Sequence, residues 1–313
     1  MYTSKVGAVL DLNKEYSPSK NSKRFSEATN PDQAVVAEFV KTITEHTQTA
    51  RGKYNVRQSV TYRNSGSNSN GTILDNQVLD IYYGDKENGT PIFVYIHGGY
   101  WQQLDRHTSG SFVEPLIQKG YRVVIVDYNL CPTVTLQQIY EQMKHFYEWL
   151  FNYAMETQAS KISFSGHSAG AHLLTVLCNE KLLRLPYGNL IESIFLVSGV
   201  FDLRECWKLP SVNPGNILDL DTEASAAALS PICRELDPDF IELAKKRNIR
   251  IYVLVAENDS ETFKEQSHAY TNKLCKAGLQ VEYEVFSGYD HFSIIENVPV
   301  KSSLINNYLL SKL

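Results

Sequence analysis

Apolar residues along this chain are concentrated in short runs, and longer amphipathic stretches separate one run from the next. The runs are rich in Val, Ile, Phe and Tyr and are bounded by turn-forming residues, a pattern typical of strands that are buried on both faces. We predict strands at residues 78–83, 92–96, 122–127, 161–165, 191–197, 250–255 and 281–286.

The stretches between these runs carry apolar residues at helical spacing. One such stripe predicts a helix over residues 31–49, with Pro31 in the position that opens helices. Further helices are predicted at residues 136–155, 169–178 and 261–276, and a last one closes the chain. Buried strands that alternate with helices favour an α/β fold, with a mostly parallel central sheet and helices on both faces.

Two segments depart from this alternation. Residues 1–60 are polar and mostly irregular outside their one helix, so we expect an N-terminal extension that packs on the α/β unit. Residues 201–247 are richer in proline and acidic residues, and we expect a small cap-like excursion over the C-terminal edge of the sheet. The run 64–71 (NSGSNSNG) is predicted to be a loop rather than a linker, because strand-like sequence flanks it. We therefore predict one domain over residues 1–313.

Composition narrows the possible functions. The chain has 313 residues, 43% of them apolar and 21% charged, and its formal net charge of −5 is spread along the whole sequence. Neither a basic stripe for nucleic acid nor a polybasic membrane patch is present, and no apolar stretch approaches the ~18 residues of a membrane span. Five scattered cysteines without a CxxC pair indicate reduced thiols in a cytoplasmic setting. No metal-binding spacing occurs, so neither a metal nor another cofactor is predicted.

A GxSxG sequence, GHSAG at residues 166–170, follows a predicted strand directly and opens a predicted helix. This context is typical of a nucleophile elbow, in which a strand reverses sharply into a helix and lifts a serine clear of the sheet. Glycines at 166 and 170 are expected because side chains there would collide across the turn. Ser168 is therefore the predicted nucleophile of an α/β-hydrolase fold.

The sequence HGGYW at residues 97–101 follows an earlier strand. Acyl transfer places negative charge on a carbonyl oxygen, and backbone N–H groups that point at this oxygen stabilise the transition state. Two successive glycines allow the main chain to come close enough, and the residue after the nucleophile usually supplies the second donor. We predict an oxyanion hole formed by Gly98, Gly99 and Ala169, with His97 as a structural residue of the loop.

The general base and the acid are expected after Ser168, since this fold orders its triad as Ser, acid and His. His291 lies just past the last predicted strand and is the predicted base. Asp259 follows the strand at 250–255 and is the preferred acid, with Glu257 and Asp202 as alternatives. Asp290 is disfavoured because it adjoins His291 in sequence, which makes a hydrogen bond to the ring awkward.

These segments together resemble the kynurenine formamidase (arylformamidase) family, in the esterase/lipase branch of the α/β hydrolases. The resemblance rests on HGGYW, GHSAG, SGVFDL, ASAAALSP, AENDSETFKEQS and DHF, and on the opening LNKEYSPS at residues 12–19. The sequence departs from the family pattern with ENDS, where His or Asp is expected before DS, and with NLCP after residue 128. Neither departure removes a catalytic group, and Ser168, Asp259 and His291 match the family triad.

The resemblance implies hydrolysis of N-formyl-L-kynurenine to L-kynurenine and formate in tryptophan degradation. Tyr100 and Trp101 could stack on the flat aryl amine, and Arg106 is a weaker candidate for binding its amino-acid end. A carboxylesterase acting on small acyl esters is the alternative, and a non-catalytic hydrolase-fold binding protein is a third reading. The predicted partner is a small-molecule substrate rather than nucleic acid or a membrane, and a homodimer is left open.

The C-terminal tripeptide Ser311-Lys312-Leu313 matches a peroxisomal address. The residues Leu304, Ile305, Tyr308 and Leu309 precede it at helical spacing, so Leu313 could equally complete an amphipathic helix. We therefore expect a cytoplasmic protein, with peroxisomal delivery as the alternative.

Overall fold

A central sheet of eight strands organises the computed structural model, which describes residues 10–63, 76–182 and 187–313. The strands lie in the order β1-β2-β4-β3-β5-β6-β7-β8. β1 pairs antiparallel with β2, and β2 pairs antiparallel with β4, whereas all further pairs are parallel. The bounds are β1 Asn55–Thr61, β2 Val78–Tyr83, β3 Ile92–Ile96, β4 Arg122–Val126, β5 Ile162–His167, β6 Ile191–Val197, β7 Arg250–Ala256 and β8 Gln280–Phe286. The prediction of a mostly parallel sheet is confirmed.

Twelve α-helices accompany the sheet within the described ranges. Their bounds are α1 Leu12–Glu15, α2 Pro18–Asn21, α3 Pro31–Lys53, α4 Val113–Gln118, α5 Leu136–Glu156, α6 Ala169–Leu174, α7 Val176–Asn179, α8 Glu223–Ala228, α9 Pro238–Arg247, α10 Glu261–Lys276, α11 Ser293–Glu296 and α12 Leu304–Lys312. The helix predicted at residues 169–178 is divided in two at Thr175, which ends α6 and begins α7.

The two faces of the sheet bury separate apolar clusters. Ile92, Val94 and Ile96 of β3 point into one cluster together with α5, α6 and α10, whereas Phe93 and Tyr95 point into the other with α3, α4 and α12. Successive side chains of a strand alternate between faces, so an all-apolar strand requires cover on both sides. The prediction of helices on both faces of the sheet is confirmed.

Residues 10–61 are more regular than the sequence predicts. They contain α1 and α2, an α3 that continues to Lys53, and the edge strand β1. β1 (NVRQSVT) is largely exposed and carries no apolar run, which is why the hydrophobic pattern does not reveal it. The predicted loop at 64–71 lies outside the described residues.

Residues 201–247 contain α8 and α9, and their apolar side chains enter the first of the two clusters. Phe201, Leu203 and Val212 are fully buried there. All five cysteines of the chain are free, and three of them are buried. Among the described residues, no helix combines the length and the apolar character needed to cross a membrane.

Candidate active site

Ser168 occupies a strained turn between β5 and α6. Its backbone angles are φ 54° and ψ −118°, a region that side-chain-bearing residues seldom adopt and that is often found at functional sites. Its hydroxyl makes no capping hydrogen bond to the helix that follows. The turn therefore presents a serine at the carboxyl end of β5, as the GxSxG pattern predicts.

The two glycines of the elbow are required by different neighbours. A Cβ on Gly166 would lie 2.4 Å from the carbonyl oxygen of Gly170, across the turn as expected. A Cβ on Gly170 would instead lie 2.1 Å from the carbonyl oxygen of Ile96, at the end of the adjacent strand β3. The expectation that Gly170 is needed within the turn is thus corrected, because the close approach is to the neighbouring strand.

His291 and Asp259 are brought together from two loops at the carboxyl end of the sheet. The His291 Nδ1 lies 2.7 Å from Asp259 Oδ1, and both side chains are buried. The other oxygen, Oδ2, accepts hydrogen bonds from the Ser198 hydroxyl at 2.6 Å and from the Ala256 N–H at 3.1 Å. Asp259 is therefore oriented on both of its oxygens. Ser198 was not predicted from the sequence, although its place directly after β6, the strand beside β7, is a usable signal.

The other carboxylates near the site have different partners. Glu257 is exposed and accepts from Ser287 and from the Gly288 N–H. Asp202 forms an ion pair with Arg204 at 2.5 Å. Among these acids, the described structure places only Asp259 on the His291 ring.

The predicted oxyanion loop comes close to Ser168. A Cβ added to Gly98 would stand 3.1 Å from Ser168 Cβ and 2.9 Å from the His167 carbonyl oxygen. Gly99 adopts φ +99°, and a Cβ there would meet the Gln103 backbone. In the part of the chain that the structure describes, the N–H groups of Gly98, Gly99 and Ala169 have no protein acceptor. Donors of this kind are suited to a developing oxyanion.

Three further histidines lie near the elbow, and none of them belongs to the His291–Asp259 pair. His97 is buried and stacks on Tyr128, and burial lowers its pKa, which fits the structural role predicted for it. His172 accepts from Trp101 Nε1, and burial lowers its pKa to about 3. His167, the middle residue of GHSAG, lines the cavity, and its Nε2 lies 2.9 Å from the His291 carbonyl oxygen. Burial, with His291 nearby, lowers the pKa of His167, so a neutral ring donates this bond.

A cavity of about 230 Å³ opens over Ser168 and His291. Its other walls include Tyr16 before α2, Phe39 of α3, Tyr100 of the oxyanion loop and Phe292. Tyr16 was not among the predicted site residues, although it lies in the YSPS segment that carries part of the resemblance. The Tyr100 hydroxyl donates to the Tyr16 carbonyl oxygen at 2.8 Å, which joins the N-terminal segment to the oxyanion loop.

Two substrate contacts expected from the sequence are corrected. Trp101 is fully buried in the core, where its indole N–H bonds to His172, so it does not face the cavity. Arg106 pairs with Asp127 at 2.6 Å and with Asp80 at 3.2 Å, which holds its guanidinium away from the cavity. Of the three predicted contacts, the cavity retains Tyr100.

No group of three or more His, Cys, Asp and Glu residues is placed to hold a metal ion anywhere in the described ranges. The site itself brings together a serine, a carboxylate-bound histidine and backbone N–H groups. Such a set is typical of acyl transfer.

The sheet order, the serine elbow and the buried His–Asp pair define an α/β hydrolase. The profile of a family described as alpha/beta hydrolase fold matches residues 93–294. Among solved structures, the chain is similar to an inhibited esterase B from Lactobacillus rhamnosis, with a TM-score of 0.65 and 20% identity over 90% of this chain and 94% of that one. It is also similar to a hyperthermophilic esterase from Pyrobaculum calidifontis, with a TM-score of 0.61 and 16% identity over 90% and 92%. These likenesses show the fold alone.

Sequence relatives define the family more narrowly. The chain is 38% identical over 301 residues to the kynurenine formamidase of Drosophila melanogaster, which covers 96% of both proteins. It is 32% identical over 304 residues to the kynurenine formamidase of Danio rerio, covering 97% of this chain and 94% of that protein. This chain belongs to the kynurenine formamidase family, and the resemblance stated from its motifs is confirmed.

Proposed function

We propose that this enzyme hydrolyses N-formyl-L-kynurenine to L-kynurenine and formate through a formyl-enzyme on Ser168. The observation that carries the proposal is the 38% identity to a kynurenine formamidase over 96% of the chain. The site supports it, because the strained Ser168 shares a cavity with a histidine that is bound to a buried carboxylate.

The proposed reaction has two halves. Ser168 Oγ attacks the formyl carbon while His291 Nε2 takes the hydroxyl proton, and Asp259 stabilises the cation that forms on the ring. The oxyanion is held by the N–H groups of the Gly98–Gly99 loop and of Ala169. The C–N bond then breaks as His291 returns the proton to the departing aryl amine. Water, activated by the same His291, hydrolyses the formyl ester and releases formate.

The cavity walls suit an aryl formamide. Formyl is the smallest acyl group, so it needs little room beside Ser168, which the Gly98 backbone approaches closely. Phe39, Tyr100 and Phe292 place aromatic surface around the cavity, where a flat aniline ring could pack. We therefore assign the contact with the leaving group to Tyr100, Phe39 and Phe292. Trp101 is excluded because it is buried away from the cavity.

The substrate preference separates a formamidase from a general esterase. Since an amide is harder to cleave than an activated ester, a general esterase should strongly favour p-nitrophenyl acetate. A formamidase uses binding of the aryl amino-acid portion to lower the barrier at the formyl carbon. We expect kcat/KM for N-formyl-L-kynurenine to equal or exceed that for the ester, measured by kynurenine absorbance beside nitrophenol release.

The matched control substrate is N-acetyl-L-kynurenine, which adds one methyl to the acyl group. In a tight acyl pocket a methyl costs ~1–3 kcal/mol, so at least about a tenfold preference for formyl is expected. An ester preferred by orders of magnitude would replace the proposal with the carboxylesterase alternative. Absence of turnover for every substrate would favour the non-catalytic binding protein.

For the cellular compartment, we propose the cytoplasm. Ser311 donates to the Tyr308 carbonyl oxygen, Lys312 pairs with Glu282 at 2.8 Å, and Lys161 donates to the Leu313 carbonyl oxygen at 3.0 Å. A receptor that reads these three residues would have to displace such contacts. We expect diffuse fluorescence from an N-terminally tagged chain, both with residues 311–313 and without them. A punctate signal that is lost on deletion would establish peroxisomal import instead.

A further inference from the structure

Asp290 is a buried carboxylate beside the base, and it does not act on the His291 ring. Its Oδ1 accepts from the N–H groups of Phe292 at 3.0 Å and Ser293 at 2.7 Å. Its own N–H donates to the Ser293 hydroxyl at 2.9 Å. These bonds close a tight turn around His291, so the orientation of Asp290 determines the path of the backbone that carries the base.

The other oxygen of Asp290 is held by the N-terminal segment. Arg24 Nε lies 2.8 Å from Asp290 Oδ2, and the Ser22 hydroxyl donates to the same oxygen. The Arg24 guanidinium also reaches Glu296 of α11, with its Nη1 2.6 Å from Oε2 and its Nη2 3.1 Å from Oε1. One arginine therefore joins the turn before His291 to the helix after it.

Asp290 and Glu296 are both buried, and both are paired with the Arg24 guanidinium. Their side chains are only 3% and 9% exposed, whereas the Arg24 side chain is 30% exposed. Burial by itself raises the pKa of Asp290, but hydrogen bonds from Ser22 and Ser293 and the Arg24 charge bring it below its ordinary value. Charged carboxylates are kept at such depth only when they are paired and hydrogen-bonded.

Arg24 itself lies outside the set of residues that line the cavity. Its effect on the reaction would therefore pass through Asp290 rather than through contact with substrate. A base must be held close to its productive geometry, since a displacement of about 1 Å can cost about a hundredfold in rate.

We propose that Arg24 is a positioning residue for His291, acting through its bridge between Asp290 and Glu296. The N-terminal segment then contributes to the active site in two ways. Tyr16 forms a wall of the cavity, and Arg24 fixes the turn that carries His291. This inference rests on the proposed role of His291 as the base for Ser168.

The test compares Arg24→Gln with wild type in three measurements: kcat and KM on N-formyl-L-kynurenine, the rate of Ser168 labelling by a fluorophosphonate, and the melting temperature. We expect kcat to fall at least tenfold and KM to change by a smaller factor, because of the aromatic cavity walls only Phe292 belongs to the turn that Asp290 closes, whereas Tyr16, Phe39 and Tyr100 lie outside it. Labelling should slow by a similar factor, since it also needs His291 as base. Arg24→Lys, which keeps the charge, should recover part of both losses.

Arg57→Gln is the matched control. Arg57 pairs with Glu87 at 2.8 Å from the edge strand β1, so this variant should leave kcat and the labelling rate unchanged. A lower melting temperature for Arg24→Gln with kcat and labelling within twofold would overturn the proposal and leave a purely structural ion pair. If Arg24→Gln does not fold, Arg24→Lys decides the question. A lysine ammonium cannot reproduce all the contacts of the guanidinium with Asp290 and Glu296, so wild-type labelling in that variant would show that the bridge is not needed and would overturn the proposal.

Labelling also separates this proposal from the proposed function. If the wild-type enzyme is labelled at Ser168 but does not turn over N-formyl-L-kynurenine, the proposed substrate is wrong. The effect of Arg24 on labelling would still be measured in that case, and a slower rate in Arg24→Gln would still support the positioning role.

Discussion

Replacing Ser168 with alanine is expected to lower kcat on N-formyl-L-kynurenine by a factor on the order of 10⁴ to 10⁶, close to the limit of detection. The variant removes the oxygen that forms the formyl-enzyme, and a bound water cannot reproduce its attack from the strained turn. The fold should remain intact, because the serine hydroxyl makes no capping hydrogen bond and alanine adds no atoms. Steady-state kinetics and a thermal melt measure the two effects separately.

Ser165→Ala is a suitable control for this prediction. Ser165 is a buried serine on the same strand, and its hydroxyl has no hydrogen-bond partner among the described residues. We expect the Ser165→Ala enzyme to retain wild-type kcat and to be modified by a fluorophosphonate at Ser168. Activity of Ser168→Ala within tenfold of wild type would refute the serine mechanism.

The second large effect is expected for Asp259→Asn, with a loss in kcat of about 10⁴-fold. The Ser198 hydroxyl and the Ala256 N–H both donate to Oδ2 of Asp259, so they would bind the carbonyl oxygen of the new amide. The amide NH₂ would then face His291 Nδ1, where an acceptor now lies. This reversal favours the tautomer that carries its proton on Nε2, and such a ring cannot take the Ser168 proton.

Asp202→Asn and Glu257→Gln test the alternatives for the acid. Asp202 is paired with Arg204, and Glu257 accepts from the Gly288 N–H at 2.7 Å, so both contribute to loop structure and not to the ring of the base. We expect each variant to keep kcat within about tenfold of wild type, measured in the same assay as Asp259→Asn. A larger loss for either variant than for Asp259→Asn would assign the acid to that residue.

The strands were predicted well because the signal is local. The predicted strands 78–83, 92–96 and 191–197 agree with the structure to the residue, and 281–286 differs by one residue at its start. A strand that is buried on both faces, such as β3, is apolar throughout, so its sequence marks its own bounds. The edge strand β8 is largely exposed, but its sequence VEYEVF alternates apolar and charged residues, which also marks a strand. β1 was missed because an exposed edge strand needs no such run, and seven mostly polar residues carry little pattern.

Side-chain directions in the oxyanion loop could not be predicted in the same way. Tyr100 and Trp101 both adopt positive φ angles, 49° and 60°, so the usual alternation of neighbouring side chains does not apply there. Tyr100 reaches the cavity wall, whereas Trp101 turns into the core towards His172. Their different positions depend on Tyr16 and His172, which lie far away in sequence.

By itself the sequence determined the class of fold, the place of Ser168 and the family. This was possible because a nucleophile elbow and a double-glycine loop are each formed by consecutive residues. Only the tertiary structure decided which acid meets His291, that Ser198 orients this acid, and that Arg24 reaches the turn of the base. These contacts join residues that are 32, 61 and 266 positions apart. Their partners are chosen by the packing of the whole sheet, and no local pattern of spacing or polarity encodes that choice.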